Sequence, residues 1–264
     1  MSTPTLLLDI DSRGVATLTM NRPELHNAFD DLLIAAMTTQ LRALESDPLV
    51  RVVILAAAGK SFSAGADLNW MKRMAQYSEA ENLRDARALA ELMRTLNGLS
   101  KPTIARLQGS AFAGGMGLVA CCDIAIAVPG AQFCLTEVRL GLTPAVISPY
   151  VVRAMGQRMA RRYFLTAERF SAAEALKMGL LHGVVAEEEL DRTVQAVVAD
   201  LLKGGPESLA ETKDLVATVS RDKLDSALIE ETATRIAKLR VSTEGQEGIS
   251  SFLDKRAPKW VADQ

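Results

Sequence analysis

Two short segments rich in glycine and alanine stand out by their residue types: residues 63–67 (Ser-Ala-Gly-Ala-Asp) and residues 113–117 (Ala-Gly-Gly-Met-Gly). Each follows a run typical of a strand and precedes a run typical of a helix. Small residues let a ligand approach the main chain closely, and a helix N-terminus presents unpaired backbone N–H groups. Two such N–H groups that converge on one carbonyl oxygen form an oxyanion hole, which stabilises an enolate or a tetrahedral oxyanion. The two segments therefore predict chemistry at a carbonyl group.

Glu137 is the carboxylate whose surroundings suggest chemistry. It follows the apolar run 133–135 and precedes a second apolar stretch that contains Val138, Leu140 and Leu142. Apolar surroundings disfavour the charged form of a carboxyl, which brings its pKa toward the range useful for general acid/base catalysis. The alternative is a carboxylate at a strand end that is solvated or paired with Arg139.

A dinucleotide fingerprint is the first competing interpretation. Residues 115–120 (Gly-Met-Gly-Leu-Val-Ala) match its GxGxxA form. In that fingerprint the glycines come directly off a first strand, whereas residues 109–113 intervene here. The acidic residue about 20 positions further on, Glu137, does not end an obvious second strand. The match therefore does not predict a nicotinamide cofactor.

Histidine-dependent and electrostatic sites are also weakly indicated. His26 lies in a turn, His182 lies in a Gly-Leu-Leu-His-Gly connection, and the chain contains no GxSxG segment. Both histidines are expected to be structural or solvated. Basic residues between 72 and 94 alternate with glutamates along a helical stretch, which predicts a solvated helix face; the alternative is that one of them holds an anionic substrate group. They are Lys72, Arg73, Arg84, Arg87 and Arg94.

The composition is that of a globular protein. The chain has 264 residues and a net charge of −2, which gives no electrostatic reason to expect binding to nucleic acid or to an anionic membrane. No apolar run approaches the ~20 residues that span a bilayer. Cys121, Cys122 and Cys134 lie in apolar contexts without metal-ligand spacing, which predicts buried thiols in a reducing cytosol. We see no secretory or transit peptide, and the expected location is the cytoplasm.

Strand and helix patterns alternate as far as about Leu140, which predicts an α/β fold with a largely parallel sheet. The chain opens with a hairpin around residues 11–14, and a polar helical stretch runs from Asn69 to Leu99. After residue 140 the pattern is mostly helical, and the apolar faces of these helices are expected to pack on the core or on a partner subunit. The predicted helices there cover 147–155, 157–165, 172–178, 187–202, 206–220, 226–239 and 243–255.

Six motifs taken together resemble the crotonase (enoyl-CoA hydratase/isomerase) superfamily across essentially the whole chain. They are Asn21-Arg22-Pro23, residues 62–68, residues 101–105, Gly114-Gly115, residues 122–124 and residues 137–141. The resemblance implies a spiral of ββα units with a C-terminal helical region, divided as a core (1–200) and a region for trimerisation and active-site cover (201–264). It also implies an acyl-CoA substrate, no metal, no cofactor apart from the CoA of the substrate, and a homotrimer or dimer of trimers.

The resemblance assigns roles by position. The backbone amides of Ala66 and Gly114 polarise the thioester carbonyl, and Glu137 delivers the proton to the α-carbon. Met74 and Val146 are further candidates for the pocket wall. The residues expected along the CoA and acyl groups are Ala64, Asp67, Leu68, Met71, Met116, Gly117, Phe252 and Lys255.

Gly117 departs from the pattern of the superfamily, because its hydratases usually carry a first glutamate at this position. The segments 65–71, 117–123 and 135–142, together with residues 144–149, look like those of bacterial methylglutaconyl-CoA hydratases, in which a glycine here is a shared trait. That subgroup implies hydration of 3-methylglutaconyl-CoA in leucine breakdown. The alternatives are an isohexenylglutaconyl-CoA hydratase of terpene degradation, an enoyl-CoA isomerase, and a non-catalytic scaffold that binds CoA or RNA.

Overall fold

The computed structural model describes residues 4–220 and 223–261. The chain opens with an antiparallel hairpin of β1 (Leu6–Ile10) and β2 (Val15–Met20), as predicted. Gly14 closes the turn with a φ of 80°, and a Cβ there would lie 2.2 Å from the backbone oxygen of Leu49. Only glycine fits this position without displacing the main chain.

The main sheet has six strands in the order β1-β2-β3-β4-β6-β9. Every pairing in it after the hairpin is parallel, which confirms the prediction of a largely parallel sheet. All six residues of β3 are buried, as expected for a strand covered on both faces. The remaining strands of this sheet are β3 (Val52–Ala57), β4 (Thr103–Leu107), β6 (Ile124–Ala127) and β9 (Gly183–Val184).

A second sheet of three short strands lies beside the first. Strand β7 pairs in parallel with β5 and antiparallel with β8. The register places Phe112 of β5 opposite Cys134 of β7, so that the segments following these two strands emerge at the same end of the sheet. The strands are β5 (Ala111–Phe112), β7 (Gln132–Cys134) and β8 (Phe170–Ser171).

The helices agree with the predicted pattern. The helical stretch from Asn69 to Leu99 is divided into two helices, because Ser78 begins a new helix with a capping box. Its hydroxyl accepts the N–H of Glu81, and the Glu81 carboxylate accepts the N–H of Ser78, which satisfies groups that a continuous helix would use internally. The helices of the first two thirds are α1 (Asp31–Ser46), α2 (Leu68–Met74), α3 (Glu79–Asn97), α4 (Gly114–Cys121), α5 (Ser148–Met155), α6 (Gln157–Thr166) and α7 (Ala172–Lys177).

After β9 the described part of the chain is helical, as predicted. Lys213 joins it to the main sheet through an ion pair with Asp123 at 2.7 Å, and the same carboxylate accepts the N–H of Thr103 on β4. The predicted boundary between residues 200 and 201 falls inside α8, and the division into two regions stays a prediction. These helices are α8 (Leu190–Lys203), α9 (Pro206–Val219), α10 (Ser226–Val241) and α11 (Thr243–Leu253). In the described part of the chain, no helix combines the length and apolarity needed to cross a bilayer.

Candidate active site

The two glycine- and alanine-rich segments lie against each other. A short parallel bridge pairs Ser63 with Ala111, and the N–H of Phe112 donates to the Ser63 oxygen at 2.9 Å. Gly65 has a φ of 91°, and a Cβ there would lie 3.1 Å from the Cβ of Ala113. A side chain at Gly65 would crowd Ala113 and would be strained by the positive φ, so glycine permits this close approach of the two segments. The residues that the sequence singled out thus form one local structure.

The backbone around Ala66 leaves its N–H free. Phe29 pairs with Ala66 in a second parallel bridge, in which the N–H of Phe29 donates to the Gly65 oxygen at 2.6 Å. The N–H of Asp67 donates to the Phe29 oxygen at 2.7 Å. Since successive amides of an extended segment point in opposite directions, the Ala66 N–H points away from Phe29. None of the described residues accepts it.

The second free amide is that of Gly114, the first residue of α4. The first amides of a helix have no partner inside the helix, and no described residue outside α4 accepts the Gly114 N–H. Ala113 precedes it with a φ of 46° and a ψ of −119°, a strained conformation for a residue with a side chain. The N–H of Ala113 donates to the Cys134 oxygen at 2.9 Å, which holds this conformation in place.

Glu137 follows β7 by three residues and begins a short 3-10 helix, residues 137–140. Because Phe112 and Cys134 are register partners, Glu137 emerges from the second sheet at the same end as Gly114. Its side chain is half-buried, and its Oε2 is buried without a hydrogen-bond partner in the described part of the chain. Burial raises the pKa of Glu137, opposed only in part by a hydrogen bond to its own backbone. The alternative of a pair with Arg139 is not observed among the described ion pairs.

Gly117 is buried on α4, and a branched side chain occupies the space beside it. A Cβ on Gly117 would lie 2.3 Å from Cγ2 of Ile147 and 3.2 Å from Cε of Met93. Ile147, which is 3% exposed, therefore packs where a side chain at position 117 would stand. Ile147 lies in the segment 144–149 that resembles the subgroup, but its contact with Gly117 was not predicted, because a contact across thirty residues leaves no local pattern.

The side chain of Asp67 is already engaged. Its Oδ1 accepts the N–H groups of Asn69 and Trp70 at the start of α2, and its Oδ2 pairs with Arg22 at 3.1 Å. Burial works to raise the pKa of Asp67, but these backbone hydrogen bonds and the Arg22 guanidinium outweigh it, and the net shift is downward. Its main chain is engaged too, because its N–H donates to the Phe29 oxygen and its oxygen accepts the N–H of Met71 at 2.9 Å. The contact between Asp67 and CoA stays a prediction.

The other predicted substrate contacts divide into exposed and buried groups. Ala64 and Leu68 are exposed beside the Ala66 amide, with Leu68 at 73%, and Met71 is partly exposed on α2. Met116 is fully buried in the core, so it supports α4 from behind. Of the two further wall candidates, Met74 and Val146, both are partly buried.

Phe252 and Lys255 lie far along the chain from the two segments, at the end of α11. This helix packs mainly on α9 and α10, and Phe252 is 82% exposed. A side chain with this exposure covers no site on its own chain. Their predicted contact with CoA stays a prediction that needs a neighbouring subunit.

The competing features have structural explanations. His182 accepts the N–H of Ala125 through Nδ1, and His26 is exposed with Nδ1 3.1 Å from Oγ of Ser61. All three cysteines are buried and free, as predicted, and burial raises the pKa of Cys122 to about 12. The basic residues between 72 and 94 are exposed, as expected for a solvated helix face.

The comparisons with known proteins agree with this geometry. The family model for enoyl-CoA hydratase/isomerase matches residues 11–263. The chain is 31% identical over 251 residues to a crotonyl-CoA hydratase of Syntrophomonas wolfei, covering 94% of this chain and 95% of that protein. It is 32% identical over 244 residues to a short-chain-enoyl-CoA hydratase of Clostridium acetobutylicum, covering 92% of each. The crystal structure of an enoyl-CoA hydratase from Shewanella pealeana superposes with a TM-score of 0.95 at 46% identity, covering 97% and 96% of the two chains.

These similarities extend over nearly the full length of each protein and include the segments that carry the free amides and Glu137. The predicted crotonase-like α/β fold with a C-terminal helical region is confirmed. The prediction of a hydro-lyase of the enoyl-CoA hydratase type is confirmed as well, and the scaffold alternative is set aside. The chain belongs to the enoyl-CoA hydratase/isomerase family.

Proposed function

We propose that the protein hydrates a branched 2-enoyl-CoA with a distal carboxylate, and that its substrate is 3-methylglutaconyl-CoA, giving 3-hydroxy-3-methylglutaryl-CoA in leucine breakdown. The observation that carries the hydration is the pair of free amides at Ala66 and Gly114 together with the unpartnered Oε2 of Glu137. What supports the branched substrate is the resemblance to methylglutaconyl-CoA hydratases, which includes the glycine at position 117.

The chemistry follows from these groups. The Ala66 and Gly114 amides hold the thioester oxygen and stabilise the negative charge that develops on it. Glu137 orients a water molecule and takes its proton as the hydroxyl bonds to the β-carbon. The same carboxyl then returns the proton to the α-carbon, and a tertiary alcohol results. Water is added across the double bond with no group left over, and the reverse dehydration uses the same groups.

A single carboxylate has to serve both steps. Hydratases of the superfamily usually carry two glutamates, and in this chain Ile147 occupies the space that a side chain at position 117 would need. A glycine at this position resembles the methylglutaconyl-CoA hydratases. Because the surface around Gly117 is buried and apolar, Glu137 is the group that orients the water and accepts its proton.

The test mixes purified protein with 3-methylglutaconyl-CoA and follows the loss of absorbance of the conjugated thioester. Isohexenylglutaconyl-CoA is assayed in parallel, and crotonyl-CoA is included because a relative is named for it. We expect the fastest loss with the short branched substrate. A preference for the long substrate would reassign the protein to terpene degradation, and a preference for crotonyl-CoA would contradict the role of the distal carboxylate.

Enoyl-CoA isomerisation is the second candidate, because one carboxylate suffices to move a proton between the α- and γ-carbons. The unpartnered Oε2 of Glu137 fits this reaction equally well. The products distinguish the two reactions, since only hydration increases the mass by one water. Mass spectrometry of the acyl-CoA product therefore decides between them.

The proposal includes a homotrimer or a dimer of trimers. The C-terminal helices expose large apolar side chains, among them Val241 at 77%, Phe252 at 82% and Leu253 at 72%. Exposed apolar surface of this kind is typical of a face that another copy covers. Light scattering coupled to size-exclusion chromatography measures the assembly directly, and a monomer at micromolar concentration would contradict this part of the proposal.

A further inference from the structure

The motif Asn21-Arg22-Pro23 has no role in the chemistry described so far, yet the arginine is buried, with 9% of its surface exposed. Its Nη1 donates to the backbone oxygen of Ala28 at 2.9 Å and pairs with Oδ2 of Asp30 at 2.8 Å. Its Nη2 donates to Oδ2 of Asp67 at 3.1 Å. One guanidinium therefore joins two segments that are far apart in the sequence.

These partners flank the bridge that orients the free amide. Ala28 and Asp30 stand on either side of Phe29, and Asp67 directly follows Ala66. The bridge between Phe29 and Ala66 turns the Ala66 N–H away from Phe29. The planar fork of Arg22 holds both sides of this bridge at once, a geometry that the single ammonium of a lysine does not reproduce.

Arg22 is itself held in place. Its backbone N–H donates to Oδ1 of Asn27 at 2.9 Å, and the Asn27 side-chain amide donates to the oxygens of Ala58 and Ser61, both at 2.8 Å. Asn27 is fully buried with a φ of 52°, a left-handed conformation that asparagine tolerates better than most residues. The guanidinium is therefore fixed against the same loop that carries the free amide.

We propose that Arg22 is a positioning residue for the oxyanion hole, which acts by holding the Ala66 amide in the orientation that receives the thioester oxygen. The proposal rests on the proposed function, because it needs a thioester carbonyl at Ala66 and Gly114. Arg22 does not contact the reacting atoms, and its effect passes through Asp67 and the Phe29 bridge.

The test compares wild-type protein with Arg22→Lys. This variant keeps the positive charge but lacks the two guanidinium nitrogens that bind separate partners. The probe is cinnamoyl-CoA, whose absorbance moves to longer wavelength when its carbonyl is polarised by hydrogen bonds. We expect a red shift with the wild type and a smaller shift with the variant at saturating ligand. We also expect kcat for hydration to fall about 10- to 100-fold, less than the loss of a whole oxyanion donor. The KM and the pH dependence of kcat/KM, which report on binding and on Glu137, should stay close to wild type.

Two further variants keep the test decisive. Arg106→Lys is the control for the substitution itself, because Arg106 on β4 also pairs with an aspartate, Asp191, but outside the loops that carry the site, and we expect it to behave as wild type. Asp67→Asn retains a side chain that caps α2 but weakens the link to Arg22, so it should lose red shift as Arg22→Lys does. It takes the place of Arg22→Lys if that variant does not fold.

The outcomes separate the two proposals. A full red shift and unchanged kcat in both Arg22→Lys and Asp67→Asn would overturn the role of Arg22. A wild-type protein that neither shifts the probe nor hydrates any of the three enoyl-CoA substrates would overturn the proposed function instead.

Discussion

Replacing Glu137 by glutamine tests the chemistry most directly. The substitution keeps the shape of the side chain and removes its ability to accept and return a proton. General acid/base catalysis by one positioned group contributes about 10²- to 10⁴-fold, and here the same group serves both proton transfers. We therefore expect kcat for hydration to fall toward the upper end of that range, while the red shift of bound cinnamoyl-CoA remains, because the Ala66 and Gly114 amides are untouched.

The same substitution should stabilise the fold. Oε2 of Glu137 is buried without a partner in the described part of the chain, and an unsatisfied buried polar group costs about 1–3 kcal/mol. Near neutral pH the wild-type group carries a charge and the glutamine amide does not, so burying glutamine costs less, and we expect a gain of about 1 kcal/mol in the free energy of unfolding. For a chain of this length that corresponds to about 2–4 °C in Tm.

The gain should depend on pH with a definite sign. Burial raises the folded-state pKa of Glu137 above its ordinary value of 4.5. Below that ordinary value the carboxyl is protonated in both the folded and unfolded states, and the wild type has no penalty for burying a charge. As pH rises through the raised pKa the penalty develops fully, so the advantage of Glu137→Gln appears near neutral pH and vanishes in acid. For the same reason the kcat/KM of the wild type should fall on the acid side at a pH above 4.5.

The assays are hydration kinetics and thermal unfolding of wild type and Glu137→Gln between pH 4 and 8. Glu168→Gln is the control, because Glu168 is an acidic side chain paired with Arg162 at the protein surface. We expect the control to retain wild-type kcat. Hydration within tenfold of wild type by Glu137→Gln would refute the assignment, and a loss of stability near neutral pH would refute the burial argument.

Three further predictions concern core packing, backbone strain and the burial of the cysteine thiols. Gly117→Ala should destabilise the protein by about 1–3 kcal/mol through its clash with Ile147, and the added change Ile147→Ala should remove that cost, so a double-mutant cycle that shows no coupling would contradict the contact. Ala113→Gly should stabilise the protein by about 1 kcal/mol, because relief of about 1–3 kcal/mol of backbone strain exceeds the 0.5–1 kcal/mol entropy cost of glycine. Unfolding in urea measures this gain, and a lower midpoint for the variant would contradict the strain. Burial raises the pKa of Cys122 to about 12, so a disulfide-exchange reagent at pH 8 should label the buried thiols only after unfolding, and rapid labelling of native protein would contradict their burial.

The order of elements could be read from the sequence because it depends on local patterns. Gly14 marks the first hairpin, and apolar runs such as residues 52–57 mark strands that are covered on both faces. The helical stretch predicted over residues 69–99 was correct in type, but its division into two helices was not predicted. Ser78 and Glu81 form the capping box that divides this stretch, and their spacing was the signal available in the sequence.

The parts of the candidate site that directly follow strands could be predicted from the sequence. Glycine and alanine after a strand indicated free amides at Ala66 and Gly114, and an acidic residue after an apolar run indicated Glu137. Asp67 was assigned to the substrate, whereas the structure engages its carboxylate with Arg22 and the start of α2. The sequence could not distinguish a substrate contact from a structural role for Asp67, since an aspartate before a helix is compatible with both.

By itself, then, the sequence determined the α/β order, the two segments rich in glycine and alanine, and the carboxylate between apolar runs, because residue type and spacing within a few positions carry that information. Only the tertiary structure decided that Ile147 fills the space beside Gly117 and that Arg22 joins both sides of the Phe29 bridge. These contacts connect residues thirty or more positions apart, or depend on which way a buried side chain turns. Close packing and hydrogen-bond geometry settle such choices, and both exist only once the chain has folded.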